Sequence, residues 1–325
     1  YDCKYTTVQY CIIGEGLYNS RNSKGARAYA TQWGGEHSTM HHCLITNCNN
    51  RTPRFNGVRD NSNNPGDHDQ FVDSEFYNNV IFNWGKPNSL YGGECDTTIN
   101  GGNSYNRVYM RGNYFRPGPT TQNNAKSNRY FVEASTQKGM GQWFVDGNKF
   151  ELSSKFAPTS SVWTNTVLQK VIDDNLYGIA SNDAGRTINK KAGSVNDFLA
   201  KNILSEQTET SGLIAESADE AFTHVTTMAG ASMPRYDEVD RRLLDEAAGN
   251  MDPQFAGKEA TGSLSRGMGI INSPADIILA EHDTFTAVKE GDDGTKTNVT
   301  ATECPFLALR NGDMGMVDSD GDGLP

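Results

Sequence analysis

The chain has 325 residues, of which 36% are apolar and 33 are glycine, and its formal charge at pH 7 is −11. This length fits one large domain or two ordinary ones, and no apolar run is long enough to predict a membrane span. The negative charge argues against nucleic acid as a partner.

Residues 1–160 repeat a β-branched or aromatic run that ends in Asn or Gly. Comparable positions recur 32 to 37 residues apart, namely Cys11, Cys43, Tyr77, Tyr114 and Phe150. Such spacing is typical of the coils of a parallel β-helix. We expect Asn79, Asn113 and Asn148, which close three of the runs, to stack at one bend. The alternative is an antiparallel sandwich with Asn-rich turns.

Basic residues concentrate early in this acidic chain. Between residues 20 and 59 there are six cations, Arg21, Lys24, Arg27, Arg51, Arg54 and Arg59, against Glu36 alone. The excess indicates either a bound anion or an ordinary solvated face. Pro53 sets a rigid, extended backbone between Arg51 and Arg54, and Lys24 lies 27 residues before Arg51, close to one coil back. Cations held together favour an anionic partner such as a polyuronate, whose carboxylates arginine binds bidentately.

Other catalytic patterns are weak. The chain has no GxSxG, HExxH or P-loop motif and no zinc-type Cys pairs. Asp73 and Glu75 alternate, but we expect Asp67, Asp69 and Asp73 in a polar loop and edge rather than as the carboxylate pair of a glycosidase. Adjacent His41 and His42 should face opposite sides of a strand, with at least one of them structural. The six cysteines leave disulfides and buried thiols both open.

The remaining residues predict a tail. Helical spacing marks 194–204, 218–230 and 235–249, and in the last segment Pro234 precedes the helix and Gly249 ends it. We expect residues 161–316 to form loops and short helices that pack on the β-helix. Residues 317–325 begin an acidic calcium-loop pattern, in which Asp318, Asp320 and Asp322 would bind a structural Ca²⁺.

Several ordered motifs together resemble one family. They are SKGARAYATQWGG (23–35), HSTMHHCLITNCNNRTPRF (37–55), EFYNNVIFNWG (75–85), LYGGE (90–94), DDNLYGI (173–179), MAGASMPRYDEVDRRLL (228–244) and the terminal DSDGDGLP. Their order and content resemble the pectate lyases of polysaccharide lyase family one, in the branch common in Bacteroidetes. The resemblance covers nearly the whole chain, and it implies an all-β, right-handed parallel β-helix with a helical and loop tail packed on it.

The resemblance also implies roles for individual residues. Arg51 matches the arginine that removes the proton from carbon 5 of a galacturonate, and Lys24 matches a lysine that binds the substrate carboxylate. Arg54 matches the second arginine of the motif, which makes a substrate or structural contact. Asn56 stands where many members have a further arginine, and Arg59 is the candidate to substitute for it. The catalytic Ca²⁺ ligands are expected upstream of Tyr1, because the chain reads as cut at both ends.

The predicted function is therefore a secreted, periplasmic or outer-surface pectate lyase. It would cleave α-1,4-polygalacturonate by calcium-assisted β-elimination to 4,5-unsaturated oligogalacturonates, as a monomer without nucleic-acid partners. Two alternatives stay open: a lyase for methyl-esterified pectin, which needs no calcium, and a non-catalytic β-helix protein that binds carbohydrate or acts as an adhesin.

Overall fold

A computed structural model of the chain describes seventeen stretches of it. They are residues 3–18, 23–58, 71–85, 90–96, 98–118, 120–121, 132–135, 139–151, 173–183, 186–188, 202–207, 211–233, 236–250, 265–266, 268–271, 284–290 and 295–302. Arg59, Asp67, Asp69, the domain boundary near 160 and the predicted calcium loop at Asp318, Asp320 and Asp322 lie outside them.

Three sheets of short parallel strands form the body of the described protein. The first sheet contains β1 Thr7–Gln9, β4 Ser38–His41, β7 Phe71–Tyr77, β10 Tyr105–Arg111 and β13 Gln142–Asp146. The second contains β2 Ile12–Gly14, β5 Leu44–Thr46, β8 Val80–Phe82, β11 Tyr114–Arg116 and β14 Lys149–Phe150. The third contains β3 Gln32–Trp33, β6 Arg54–Phe55, β9 Tyr91–Gly92, β12 Val132–Ser135 and β15 Ile179–Asp183, with β16 Arg186–Ile188 antiparallel at its edge.

Each coil gives one strand to each sheet in turn, so the predicted parallel β-helix is confirmed and the antiparallel sandwich is excluded. In the first sheet the chain steps through Thr7, Thr39, Glu75, Tyr109 and Phe144, at intervals of 32, 36, 34 and 35 residues. The predicted spacing is right, but its register is partly wrong. Asn79 rather than Tyr77 is level with Cys43, because Tyr77 pairs with His41 in the first sheet.

Inward side chains of successive coils stack in columns, because a parallel register brings like positions together. One column contains Met40, Phe76, Met110 and Val145, and another contains Ile45, Ile81, Phe115 and Phe150. Trp33 and Phe55 add the third wall. Trp84 packs beside Phe115 and belongs to this core.

The predicted asparagine stack lies at the bend between the first and second sheets. The Asn79 side chain accepts from the Cys43 N–H at 3.0 Å, Asn113 accepts from Asn79 at 2.9 Å, and Asn148 accepts from Asn113 at 3.0 Å. Asn175 continues the ladder by accepting from Asn148. All four side chains are buried, so the ladder supplies acceptors for turn N–H groups that water cannot reach.

Two helices cover the second sheet. Helix α1 Ala218–Met228 begins with a capping box at Ser217, and helix α2 Glu238–Ala248 begins at Asp237 and ends at left-handed Gly249. Their apolar faces pack against outward Leu44, Val80 and Tyr114. Both helices were predicted; the third predicted helix is wrong at its end, because Ile203 bridges Trp143 of β13 instead.

The other described elements are small. Single 3-10 turns lie at Ile99–Gly102 and Asn175–Gly178. Antiparallel pairs join β17 Ser265–Arg266 with β18 Met268–Gly269, and β19 Thr284–Glu290 with β20 Lys296–Thr302. In the described part of the chain, no helix is long and apolar enough to cross a membrane.

The described cysteines are free thiols. Cys43, Cys48 and Cys95 are buried, and burial raises the pKa of Cys43 and of Cys48 to about 12. The sequence left disulfides and buried thiols both open, and these three residues are buried thiols that pack as small apolar side chains.

Candidate functional site

Arg51 lies in the turn that leads from the second sheet into β6. Its backbone is left-handed, with φ 60°, and its carbonyl accepts from the Thr31 N–H at 2.8 Å. The bridge between Tyr29 and Asn50 fixes the same register, so residues 29–31 of the preceding coil lie beside this turn. The backbone therefore sets where the Arg51 side chain begins.

The aromatic ring of Tyr29 supports the Arg51 side chain. The guanidinium carbon is 4.3 Å from the ring centroid, and the Arg27 guanidinium carbon is 5.5 Å from the same centroid. Cation–π contact stabilises such a charge without neutralising it. We call Arg27, Tyr29 and Arg51 the Tyr29 cluster.

The charge of the Tyr29 cluster is unbalanced. Arg51 and Arg27 are both half-buried, and within the described residues no carboxylate pairs with either one. The Arg51 Nε is buried without a hydrogen-bond partner there. An incoming carboxylate or another acceptor would therefore find two cations held at one place.

Arg54 has a different environment. It is buried on β6, its Nη2 donates to Glu94, and its guanidinium carbon is 5.7 Å from the Tyr91 ring centroid. The charge of Arg54 is thus matched inside the protein. Lys24 lies in an exposed turn upstream of Tyr29.

Side chains of the third sheet continue the polar surface beside the Tyr29 cluster. One row of this sheet, in register from strand to strand, contains Gln32, Arg54, Tyr91 and Glu133. These side chains lie on the outer face, because the next residues along β3 and β6, Trp33 and Phe55, point into the core. Asn56, at the position where the resembling family often has arginine, is buried and accepts from Gln32 at 2.5 Å. Asn56 therefore supports the edge of this surface instead of adding a charge to it.

A separate cavity of about 290 Å³ lies on the first sheet, lined by Tyr5, His37, Asp73, Glu75 and other residues. Asp73 is a buried strand residue that pairs with His37 at 3.0 Å, so the predicted loop-and-edge position is wrong. Glu75 accepts from the side chains of Thr39 and Gln207. Both carboxylates are engaged by protein donors, which makes them poor candidates for a glycosidase pair.

A third polar group joins the β-helix to α1. His42 lies in a left-handed turn, φ 53°, after β4, so it does not face away from His41 as predicted; their Nδ1 atoms are 2.7 Å apart. His42 Nε2 is 2.9 Å from Glu216, and His224 Nδ1 is 3.0 Å from the same carboxylate. Among described residues, these three are the group of His, Cys, Asp or Glu close enough to share an ion.

Arg51 was predicted from the sequence, whereas Tyr29 and Glu216 were not. Tyr29 lies within the segment SKGARAYATQWGG, but only the coil register places its ring beside the Arg51 guanidinium. Glu216 carried no sequence signal, because its partner His42 is 174 residues away.

Comparison with known proteins adds one relative. No protein-family model matches the chain. Over 245 residues the chain is 27% identical to a probable pectate lyase C from Neosartorya fischeri. The fold and this similarity fit a pectate lyase-like β-helix. The match covers 75% of this chain and 43% of the relative, so the chain spans less than half the length of that protein.

Proposed function

We propose that this protein is a polysaccharide lyase that cleaves pectate, α-1,4-polygalacturonate, with Arg51 as the base. The observation that carries the proposal is the Arg51 guanidinium, half-buried over Tyr29 and without a carboxylate partner among the described residues. The similarity to a probable pectate lyase C supports the reaction class.

A polyuronate fits the charge of this surface. Every sugar carries a carboxylate, and the Tyr29 cluster offers two cations that no described acid neutralises. A planar guanidinium binds a carboxylate through two parallel hydrogen bonds, which would fix the position of one sugar. The proposal assigns substrate binding to Lys24, Arg54 and Arg59, with a supporting part for Arg54 because Glu94 already pairs with it.

The reaction would be an elimination. The neutral guanidine of Arg51 takes the proton from carbon 5, the C–H electron pair forms the double bond between carbons 4 and 5, and the glycosidic oxygen leaves carbon 4. The leaving oxygen takes a proton from water, so atoms and charge balance. Arg51 must first lose a proton to solvent, which balances the hydroxide left when water protonates the leaving oxygen.

Calcium is part of the proposal but not of these steps. A bound divalent cation would neutralise the substrate carboxylate and make the proton at carbon 5 easier to remove. Calcium prefers a ligand set made only of oxygen atoms. Among the described residues, the group close enough to share an ion is His42, Glu216 and His224, which offers two imidazole nitrogens and one carboxylate. This trio does not suit calcium, and the calcium loop predicted at Asp318, Asp320 and Asp322 lies outside the described residues.

Export, a monomeric state and membership of the Bacteroidetes-type branch also belong to the proposal. Each follows from the motif resemblance, and a pectin-degrading enzyme must meet its substrate outside the cell that makes it.

The proposal is tested by following ultraviolet absorbance of the unsaturated product. The full-length protein is incubated with polygalacturonate, methyl-esterified pectin and a polyuronate of another sugar, each with calcium and with a chelator. We expect product from polygalacturonate with calcium and its loss with chelator. Product only from methyl-esterified pectin, independent of calcium, would replace pectate by pectin as the substrate. No product from any polymer, with retained binding, would contradict the enzyme and favour the carbohydrate-binding alternative.

A further inference from the structure

Three side chains where the β-helix meets α1, those of His42, Glu216 and His224, are arranged like a metal site. His42 ends the turn after β4, Glu216 directly precedes the N-cap of α1, and His224 lies in α1. One atom of each lies within 4.8 Å of the others. Glu216 is 2.9 Å from His42 Nε2 and 3.0 Å from His224 Nδ1.

The positions of these side chains are set by contacts outside the group. Asn78 holds the backbone of Glu216 on both sides, donating to its carbonyl at 2.8 Å and accepting from its N–H at 3.2 Å. The second ring nitrogen of His42 is engaged by His41, and the Tyr10 ring stacks on His42 with centroids 4.9 Å apart. A bond to the remote imidazole nitrogen is the arrangement that orients metal-binding histidines.

The donor set selects the class of ion. Two imidazole nitrogens and one carboxylate suit zinc and neighbouring transition metals, whereas calcium and magnesium take oxygen ligands. Ligand bonds of about 2.0–2.1 Å in a tetrahedron place donor atoms roughly 3.3 Å apart. The two contacts to Glu216 need to lengthen by only a few tenths of an ångström to reach that spacing.

The group is also accessible. The His224 side chain is 46% exposed and Glu216 is 22% exposed, while His42 is buried at the base. An ion can therefore enter from solvent, and three protein ligands would leave one position for water.

We propose that His42, Glu216 and His224 bind a divalent transition-metal ion, with Zn²⁺ the first candidate, and that the ion fastens α1 to the β-helix. The ligands come from segments 174 residues apart in the chain, so binding joins the helical tail to an early coil. An ion that binds only the folded state stabilises it by RT ln(1 + [M]/Kd), where [M] is the concentration of free ion. This proposal is independent of the lyase reaction.

The test starts from chelator-treated full-length protein titrated with Zn²⁺ and Co²⁺. Calorimetry gives affinity and stoichiometry, visible absorption of Co²⁺ reports nitrogen ligation, and thermal unfolding reports stabilisation. We expect one ion per chain, a rise in Tm, and no competition from excess Ca²⁺. Glu216→Gln and His224→Ala should each weaken binding at least about tenfold, or 1.4 kcal/mol, and remove the rise in Tm.

His37→Ala is the matched control, because His37 also contacts a carboxylate, that of Asp73, but lies outside the group. It should bind Zn²⁺ like the unaltered protein. Both ligand variants are expected to fold, because the His224 side chain is half-exposed and Glu216→Gln keeps the shape of the side chain. Folding is checked for each variant before binding is compared. No saturable binding below about 1 mM, unchanged binding in both folded ligand variants, or loss in His37→Ala would overturn the proposal.

Discussion

Arg51 and Arg242 show two ways in which this fold treats a partly or fully buried arginine. Arg242 of α2 is 4% exposed and donates to Glu15 at 2.7 Å and Glu246 at 2.9 Å. Burial lowers the pKa of Arg242, but the two carboxylates outweigh burial and raise it overall. Arg51 has an aromatic ring beneath it and no carboxylate among the described residues.

The difference teaches where an external partner is expected. The charge of Arg242 is matched inside the protein, so its contribution is to hold α2 against the early coil that contains Glu15. The charge of Arg51 is oriented but unmatched, which leaves it available to an anionic substrate. The two arginines are therefore separated by whether a carboxylate of the described protein pairs with the guanidinium.

The largest expected effect on stability is at Arg242. Arg242→Ala leaves the buried carboxylates of Glu15 and Glu246 without their cation, and we expect a loss of about 3–5 kcal/mol in the free energy of unfolding. Denaturant unfolding measures it. Arg241→Ala, at the exposed neighbouring position on the same helix, should cost about 0.5 kcal/mol or less. Equal losses in the two variants would show that the internal pairing is not what stabilises this region.

A smaller loss in the free energy of unfolding is expected in the asparagine ladder, where buried neutral N–H groups donate to asparagine side chains of the next coil. Asn113→Ala removes the acceptor of the Asn79 N–H, and an unsatisfied buried donor costs about 1–3 kcal/mol. Exposed Asn250→Ala is the control, with an expected change near zero. If both variants unfold at the same denaturant concentration, the ladder does not contribute as described.

The smallest effect is expected at Asp240, a carboxylate whose described partner is the neutral Ala231 N–H at 3.1 Å. Burial raises its pKa above 3.8, the Ala231 bond opposes the rise and Asp237 adds to it. Because the pKa of Asp240 is higher in the folded than in the unfolded state, the folded state keeps its proton to a higher pH. The free energy of unfolding therefore declines as pH rises from about 4 through the pKa of the folded state. Asp240→Asn should therefore gain stability relative to the unaltered protein between pH 4 and 7. A difference that is independent of pH would contradict this.

The sequence predicted the features that repeat from coil to coil. Coil spacing follows from residues such as Cys11 and Cys43, and Asn79, Asn113 and Asn148 stack because each bend has the same unsatisfied N–H. Helices α1 and α2 followed from local spacing and end signals. These predictions succeeded because the same residue pattern recurs in every coil and because the signals for a helix lie within the helix itself.

Features that depend on unequal loops were not predictable in the same way. The step from β3 to β6 is 22 residues, from Gln32 to Arg54, whereas steps in the first sheet are 32 or longer. Spacing alone therefore directed attention to Lys24 as the residue one coil before Arg51, and the contact with Tyr29 was missed. His42 was misjudged because a left-handed turn follows β4, where strand alternation no longer applies.

We propose that Arg51 is the base and not merely a cation that holds substrate. Arg51→Lys keeps a positive charge at this position but changes the geometry of the proton-accepting group. We predict that this variant loses about 10²–10⁴-fold in kcat, the usual contribution of a positioned base, while polygalacturonate binding and Tm stay close to those of the unaltered protein. Arg241→Lys should leave all three quantities unchanged. Full turnover by Arg51→Lys would contradict the assignment.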